Sequence, residues 1–174
     1  MTDKQQNIIN AALDLFSKDG FHGTSTSKIA TKAGVSEGLI FRHFKNKKGL
    51  TQCIQDLNER QIKPLFTNIL NEEDAKQVIK KTLEFPFNLD EKESECLRLY
   101  YKLKWELNQT NYKLFTPLED VLVNAFTKLK YKEPQLESNL LLHIVRNLIG
   151  SIVLGEIQNK NLIKAFLIQK YYLY

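Results

Sequence analysis

Cysteine, glycine, proline and histidine are all scarce in this chain, and each shortage removes a class of protein. Of 174 residues, two are cysteine, Cys53 and Cys96, which is too few for a disulfide framework or a four-thiolate zinc site. Seven glycines and four prolines exclude a collagen-like or low-complexity chain. They are also too few to punctuate a β-sandwich, whose turns need such residues about every 8–12 positions. The three histidines, His22, His43 and His143, are scattered, and no HExxH, GxSxG or P-loop pattern occurs. The carboxylates of Asp90, Glu91, Glu93 and Glu95 read as a solvated helix start rather than an acid/base pair. The expectation is a protein that is not an enzyme and needs neither cofactor nor metal. Long hydrophobic runs are missing too. The N-terminus, Thr2 to Asn7, is polar and lacks the apolar core of a signal peptide. The tract from Leu140 to Ile157 is interrupted by His143, Arg146, Asn147 and Ser151, so it should not span a membrane. A reduced, cytoplasmic protein with no membrane partner is expected.

What remains is an ordinary mixture, 43% hydrophobic and 26% charged. The formal charge of +5 is unevenly placed. Residues 1–50 hold eight Lys/Arg against four Asp/Glu, whereas residues 51–174 hold 17 against 16. A basic segment on an otherwise neutral chain suits an anionic partner, most commonly nucleic acid. A lysine-rich surface kept for solubility explains the charge equally well.

The hydrophobic spacing predicts an all-α protein. Thr2 and Gln5 suit a capping box at the start of a helix over 3–19. In that helix Ile9, Ala12, Leu13 and Phe16 form an apolar stripe, and Gly20 takes the C-cap. Phe21-His22-Gly23 reads as a loop. Thr24 or Ser25 caps a second helix to about Lys32, Ala33-Gly34-Val35 makes a tight turn, and Ser36 caps a third helix to about Phe44. Asn46 caps a fourth from Lys47 towards Arg60, and Pro64 interrupts the helical run just beyond it. Further helices are expected at about 72–85, 90–109, 111–131, 135–159 and 161–173. The chain divides into a three-helix head, 1–46, and a helical bundle, 47–174, the joint falling between residues 46 and 60.

One spacing carries chemistry. Ile29-Ala30, Ala33-Gly34-Val35-Ser36 and Ile40 suit two short helices crossing steeply. Ala30 is small where they touch, Gly34 accepts positive φ in the turn, and Ile29, Ala33, Val35, Ile40 and Phe44 point inward. This is the pattern of a helix-turn-helix, whose second helix enters the DNA major groove. Many helical hairpins carry Ala and Gly by chance, so the spacing alone is only moderately specific.

The longer run is more telling. Ile9-x-x-Ala12, Leu15-Phe16, Gly20-Phe21-x-x-Thr24-Ser25, Ile29-Ala30-x-x-Ala33-Gly34-Val35-Ser36-x-Gly38-x-Ile40-Phe41-x-His43-Phe44-x-x-Lys47-x-x-Leu50 closely resembles the TetR family of bacterial transcription regulators, over residues 8–50 without a gap. The resemblance implies an N-terminal three-helix DNA-binding head and a C-terminal helical domain with an effector pocket and a dimer interface. It also implies a repressor released from double-stranded operator DNA when a small-molecule effector binds. Two other readings stay open: an activator, or a ligand- or protein-binding module that retains the head without sequence-specific DNA binding.

Within that resemblance the third helix is the recognition helix, with Ser36, Glu37, Gly38, Leu39, Arg42 and His43 outward. Ser36 caps it and leaves N–H groups for a phosphate. Gly38, lacking a Cβ, permits close approach to DNA. Arg42 suits a bidentate contact to guanine or a phosphate contact; Leu39 suits a thymine methyl or no role; Glu37 suits a cytosine amino group or simply the helix dipole. Phe41, His43 and Lys47 align with the family's phosphate-contacting Tyr, His and Lys, and Phe41 departs by lacking the hydroxyl. Thr24, Ser25, Ser27 and Lys28 open the second helix, where flanking phosphates run. A homodimer, with heads about 34 Å apart, supplies the specificity one short helix cannot. Its interface is expected on Leu141, Ile144, Leu148 and Ile152 and on Phe166 and Tyr171, as a four-helix bundle, although those faces also suit a monomer core. Arg98, Tyr101, Trp105, Tyr112, Phe115, His143 and Arg146 are candidates to line an effector pocket, or else form an aromatic core with satisfied polar groups.

Overall fold

The first helix begins where the sequence asks for it. The Thr2 hydroxyl accepts from the Gln5 N–H at 3.3 Å and the Gln5 side chain accepts from the Thr2 N–H at 2.9 Å, closing a capping box. The computed structural model describes residues 1–106 and 113–171 of the chain. Among these, every regular element is helical, and no strand occurs.

Helix α1 runs Asp3–Gly23, α2 Thr26–Ala33, α3 Glu37–Phe44 and α4 Lys47–Ile62. A 3-10 turn at Lys63–Phe66, opened by Pro64, leads into the single turn α5, Thr67–Leu70. Helix α6 spans Ala75–Glu84, α7 Glu91–Glu106, α8 Thr116–Lys128, α9 Pro134–Val153 and α10 Lys160–Lys170. The expected loop Phe21-His22-Gly23 is instead one more helical turn. Gly20, at φ 73°, breaks α1 just before it, so the predicted stop is a kink.

The described chain divides into two compact units. The first holds Met1–Arg60 with the last turns of α7 from Leu99; the second holds Gln61–Arg98 and the elements after α7. In the first unit, Ile8, Ile9, Ala12 and Phe16 of α1 meet Phe21, Ile29, Ala30, Ile40 and Phe44, all buried. Ala33, Val35 and Leu13 are half-buried at the edge. Leu50 and Ile54 of α4 and Leu103 of α7 close this core. Each such side chain contributes about 1.5–3 kcal/mol by leaving water, enough to hold three short helices that are marginal alone.

In the second unit α8 packs along α9, and α6 packs on α8, α9 and α10. Phe66 sits at its centre, with ring centroids 5.2 Å from Phe85 and 5.4 Å from Phe115. Arg98 of α7 donates its Nε–H to the Val153 carbonyl at 2.7 Å, satisfying the end of α9. Tyr171 lies over Phe126, and burial, with smaller contributions from Glu137 and Tyr131, pushes its phenol up to about 12. Neither Cys53 nor Cys96 forms a disulfide, and burial is the leading cause that pushes each thiol up, away from thiolate character. No described helix is long and apolar enough to cross a membrane. No described group of three or more His, Cys, Asp or Glu is placed to hold a metal ion.

Candidate nucleic-acid interface

The α2–turn–α3 segment is built by short-range bonds. The Ser25 hydroxyl accepts from the Lys28 N–H at 3.1 Å and starts α2. Gly34, at φ 66° and ψ 36°, ends it in the left-handed region, and the Val35 N–H returns to the Ala30 carbonyl at 3.0 Å. Ser36 stands at the N-cap of α3, but its hydroxyl makes no capping bond, so the expected cap is positional only. Ile40 and Phe44 then point into the core.

Three ties fix how α3 sits in the head. Thr26 donates its hydroxyl to Glu37 Oε1 at 2.6 Å, joining the first turns of α2 and α3. Glu37 is thereby committed inside the head. Gln5 Nε2 lies 3.3 Å from His43 Nδ1, joining α3 to the start of α1. Beyond α3, Lys45 adopts φ 66°, and Asn46 Oδ1 accepts from the Gly49 N–H at 2.8 Å. Gly49 packs so tightly on the Phe44 carbonyl that a Cβ there would collide with backbone. Gly49 is thus required by the joint between α3 and α4. Gly38 is the opposite: it is exposed, and a Cβ there would meet nothing within 4 Å.

Of the expected DNA-facing residues, Ser25, Ser27, Lys28, Ser36, Gly38, Phe41 and Arg42 are exposed, and Glu37, Leu39, His43 and Lys47 are half-buried. Phe41 keeps 46% of its surface in water. Thr24 is corrected: it is buried, and its hydroxyl donates to the Gly20 carbonyl at 2.8 Å, so its side chain cannot reach a phosphate. Lys47 turns inward as well. Its Nζ donates to the Phe21 and Thr24 carbonyls at 2.8 and 2.9 Å and stands 4.0 Å from the Phe21 ring centroid. Lys28 pairs with Asp19 at 3.6 Å. Lys32 and Lys18 pair with Asp14 at 2.6 and 3.1 Å, and these two ammoniums, Lys32 foremost, hold the Asp14 carboxyl below the usual range.

The described pocket candidates have different surroundings. Phe115 is buried against Phe66, with the Arg146 guanidinium 5.3 Å from its ring centroid. Arg98 is exposed and bonded to Val153. His143 is exposed. Tyr101 belongs to the first unit, edge-on to Tyr100 at 5.5 Å. Tyr112 and the side chain of Trp105 lie outside the described residues. Among the expected interface residues, Leu141, Ile152 and Tyr171 are buried within their own unit and offer little to a second copy. Ile144 and Leu148 are half-buried, and Phe166 is 63% exposed. Leu140 and Leu162, on the same two helices, are exposed as well, and so are Leu136 and Leu154, which no sequence pattern singled out.

Comparison with known proteins meets this geometry at the head. A profile of the family described as bacterial regulatory proteins, tetR family, matches residues 8–52, from α1 into the first turns of α4. The head is thus similar to the DNA-binding heads of that family. It is 46% identical over 54 residues to the uncharacterized HTH-type transcriptional regulator YvkB of Bacillus subtilis, covering 31% of this chain and 29% of that one. A longer match, 28% identical over 120 residues, joins the chain to the fatty acid metabolism regulator protein of Bacillus subtilis, covering 68% of this chain and 60% of the relative. The chain thus aligns with less than two thirds of these relatives' own length. In fold the likeness runs along nearly the whole chain. A structure described as the transcriptional regulator FadR from Bacillus subtilis in complex with stearoyl-CoA superposes with a TM-score of 0.62 at 19% identity, covering 95% of this chain and 96% of that one. The chain therefore shares the helical fold of that structure along nearly its whole length.

Proposed function

We propose that the protein is a dimeric, ligand-responsive transcriptional regulator that acts in the cytoplasm as a repressor, leaving operator DNA when a small molecule binds its second unit. The observation that carries this reading is the exposed face of α3. Gly38 weakens a helix interior by about 1 kcal/mol relative to Ala, and the fold around it makes no use of the missing Cβ. A gap beside Arg42 and the half-exposed Phe41 instead suits the close approach of a DNA backbone. Ser25, Ser27 and Ser36 offer hydroxyls at helix starts, where phosphates are favoured, and Arg42 reaches for a base edge or phosphate. Leu39 is set against the core and contributes shape.

On this reading residues 1–46 read DNA, and residues 47–174 hold the effector and the dimer interface. The interface draws on the outward sides of α9 and α10, around Ile144, Leu148 and Phe166. The effector is a molecule with a long apolar part. That choice is supported by the alignment with a fatty acid regulator, whose 120 residues extend beyond the head, and by the stearoyl-CoA complex of the similar fold. Binding of the full chain to duplex DNA from its own upstream region, with and without stearoyl-CoA, tests the proposal. Saturable binding by a dimer that acyl-CoA reverses supports it. A dimer that binds no such DNA would make the protein a ligand- or protein-binding module, and DNA binding strengthened by the ligand would point to the opposite response.

A further inference from the structure

The capping box of α1 reaches further than its own helix. The Thr2 N–H can only donate, so the Gln5 atom that meets it at 2.9 Å is the amide oxygen. That fixes the amide's orientation and leaves Nε2, which can only donate, facing His43 Nδ1 at 3.3 Å. Nδ1 must then be the acceptor and carry no proton. In a neutral imidazole the proton therefore sits on Nε2.

We infer that Gln5 is a positioning residue for DNA binding: it holds the His43 ring as the Nε2–H tautomer, so that this N–H is the donor His43 presents to a phosphate. The role of phosphate rests on the function proposed above; the tautomer does not. The consequence is a chain of three polar groups in which a cap that starts one helix sets the chemistry on another. The contact spans 38 residues, which is why no local pattern announces it. The His43 ring is further held edge-on to Phe44, with centroids 6.1 Å apart, so its rotation as well as its proton is constrained.

Gln5→Glu isolates the effect. Glutamate at this position keeps the capping box, but a carboxylate can only accept, so the ring's single proton must move from Nε2 to Nδ1 to keep the contact, which removes the Nε2–H donor. The full-length protein, labelled with 15N and free of DNA at pH 8, is read by long-range 1H–15N correlation of the His43 ring, assigned by its loss in His43→Gln. The expected wild-type pattern has a pyridine-like Nδ1 and a pyrrole-like Nε2. In Gln5→Glu, Nδ1 becomes protonated while the thermal unfolding midpoint stays put. A pyrrole-like Nδ1 in the wild type, or an unchanged ring in Gln5→Glu, overturns the inference. Affinity for operator and for unrelated duplex should fall alike, by about tenfold, as expected for one lost bond to a charged group. Gln6→Glu adds the same charge one residue away, on an exposed position, and should cost far less. If Gln5→Glu and Gln6→Glu weaken binding equally, the positioning role is lost even with the tautomer confirmed. If wild-type protein binds no DNA, the function proposed above fails while the ring spectrum still decides the tautomer.

Discussion

The two units turn different chemistry outward. In the head the polar side chains are busy with the chain itself: Thr2, Ser25 and Asn46 start helices, Thr26 and Gln5 anchor α3, and Lys47 closes the end of α1. Among the described residues of the head, Phe41 is the large exposed apolar residue beyond the N-terminal Met1. In the second unit, Leu136, Leu140 and Leu154 line the outside of α9 and its end, and Leu162 and Phe166 the outside of α10. A surface of the first kind suits a hydrated, charged partner held in strict geometry. A surface of the second kind suits an apolar partner, and a second copy of the same face is the simplest one.

The largest expected effect breaks the head alone. Gly49→Ala drives a Cβ into the Phe44 carbonyl and should cost about 3 kcal/mol, seen as early melting of α1–α4 in hydrogen exchange while α8 and α9 keep their protection. Gly38→Ala sharpens the contrast: stability should rise by about 0.5–1 kcal/mol while DNA affinity falls, in equilibrium unfolding and binding titrations.

Next comes the second unit. Phe166→Glu leaves the monomer folded, because the side chain is already 63% exposed, but should weaken dimerisation by about 2 kcal/mol in sedimentation equilibrium. DNA affinity should fall with it. Arg42→Ala should cost about 1–3 kcal/mol and relax preference at a single base pair, measured across a set of single-substitution duplexes.

Two smaller effects concern pH and salt. Tyr171 has a folded-state phenol raised to about 12, so its contribution to stability is complete below the ordinary phenol range and is lost as pH climbs from about 10 to 12. Tyr171→Phe should remove that alkaline loss, on the order of 1 kcal/mol in unfolding at pH 9 against pH 11.5. Smallest of all, Asp14→Asn should loosen α1 from α2 slightly. The wild-type advantage should disappear in acid as the lowered carboxyl takes its proton, and shrink in high salt.

Legibility in the sequence tracks the range of the interaction. The capping box, the Ser25 cap, the left-handed Gly34, the Asn46 cap and the inward Ile29, Ile40 and Phe44 were all legible, because each depends on neighbours a few residues away. Lys47 was read as outward because the sequence gives its helix position but not the carbonyls of Phe21 and Thr24 that receive it, more than twenty residues earlier. Leu103 joining the head core, Glu37 bonding to Thr26 and Gln5 meeting His43 were invisible for the same reason. In the second unit an apolar helix face looks alike whether it is covered by its own chain or waits for another. Hence Leu141, Ile152 and Tyr171 were candidates for the interface although they are buried, alongside Phe166, which stands in water.

The inward turn of Lys47 bears on how this head should respond to ionic strength. Eight cations lie in the first fifty residues, but Lys18, Lys28 and Lys32 already have carboxylate partners, and Lys47 is spent on backbone carbonyls. Arg42, Lys45 and Lys48, all exposed around the end of α3, are the charges best placed to displace counterions from a duplex. Each displaced ion steepens a log–log titration by about 0.9, so one half-site should show a slope near three rather than near seven.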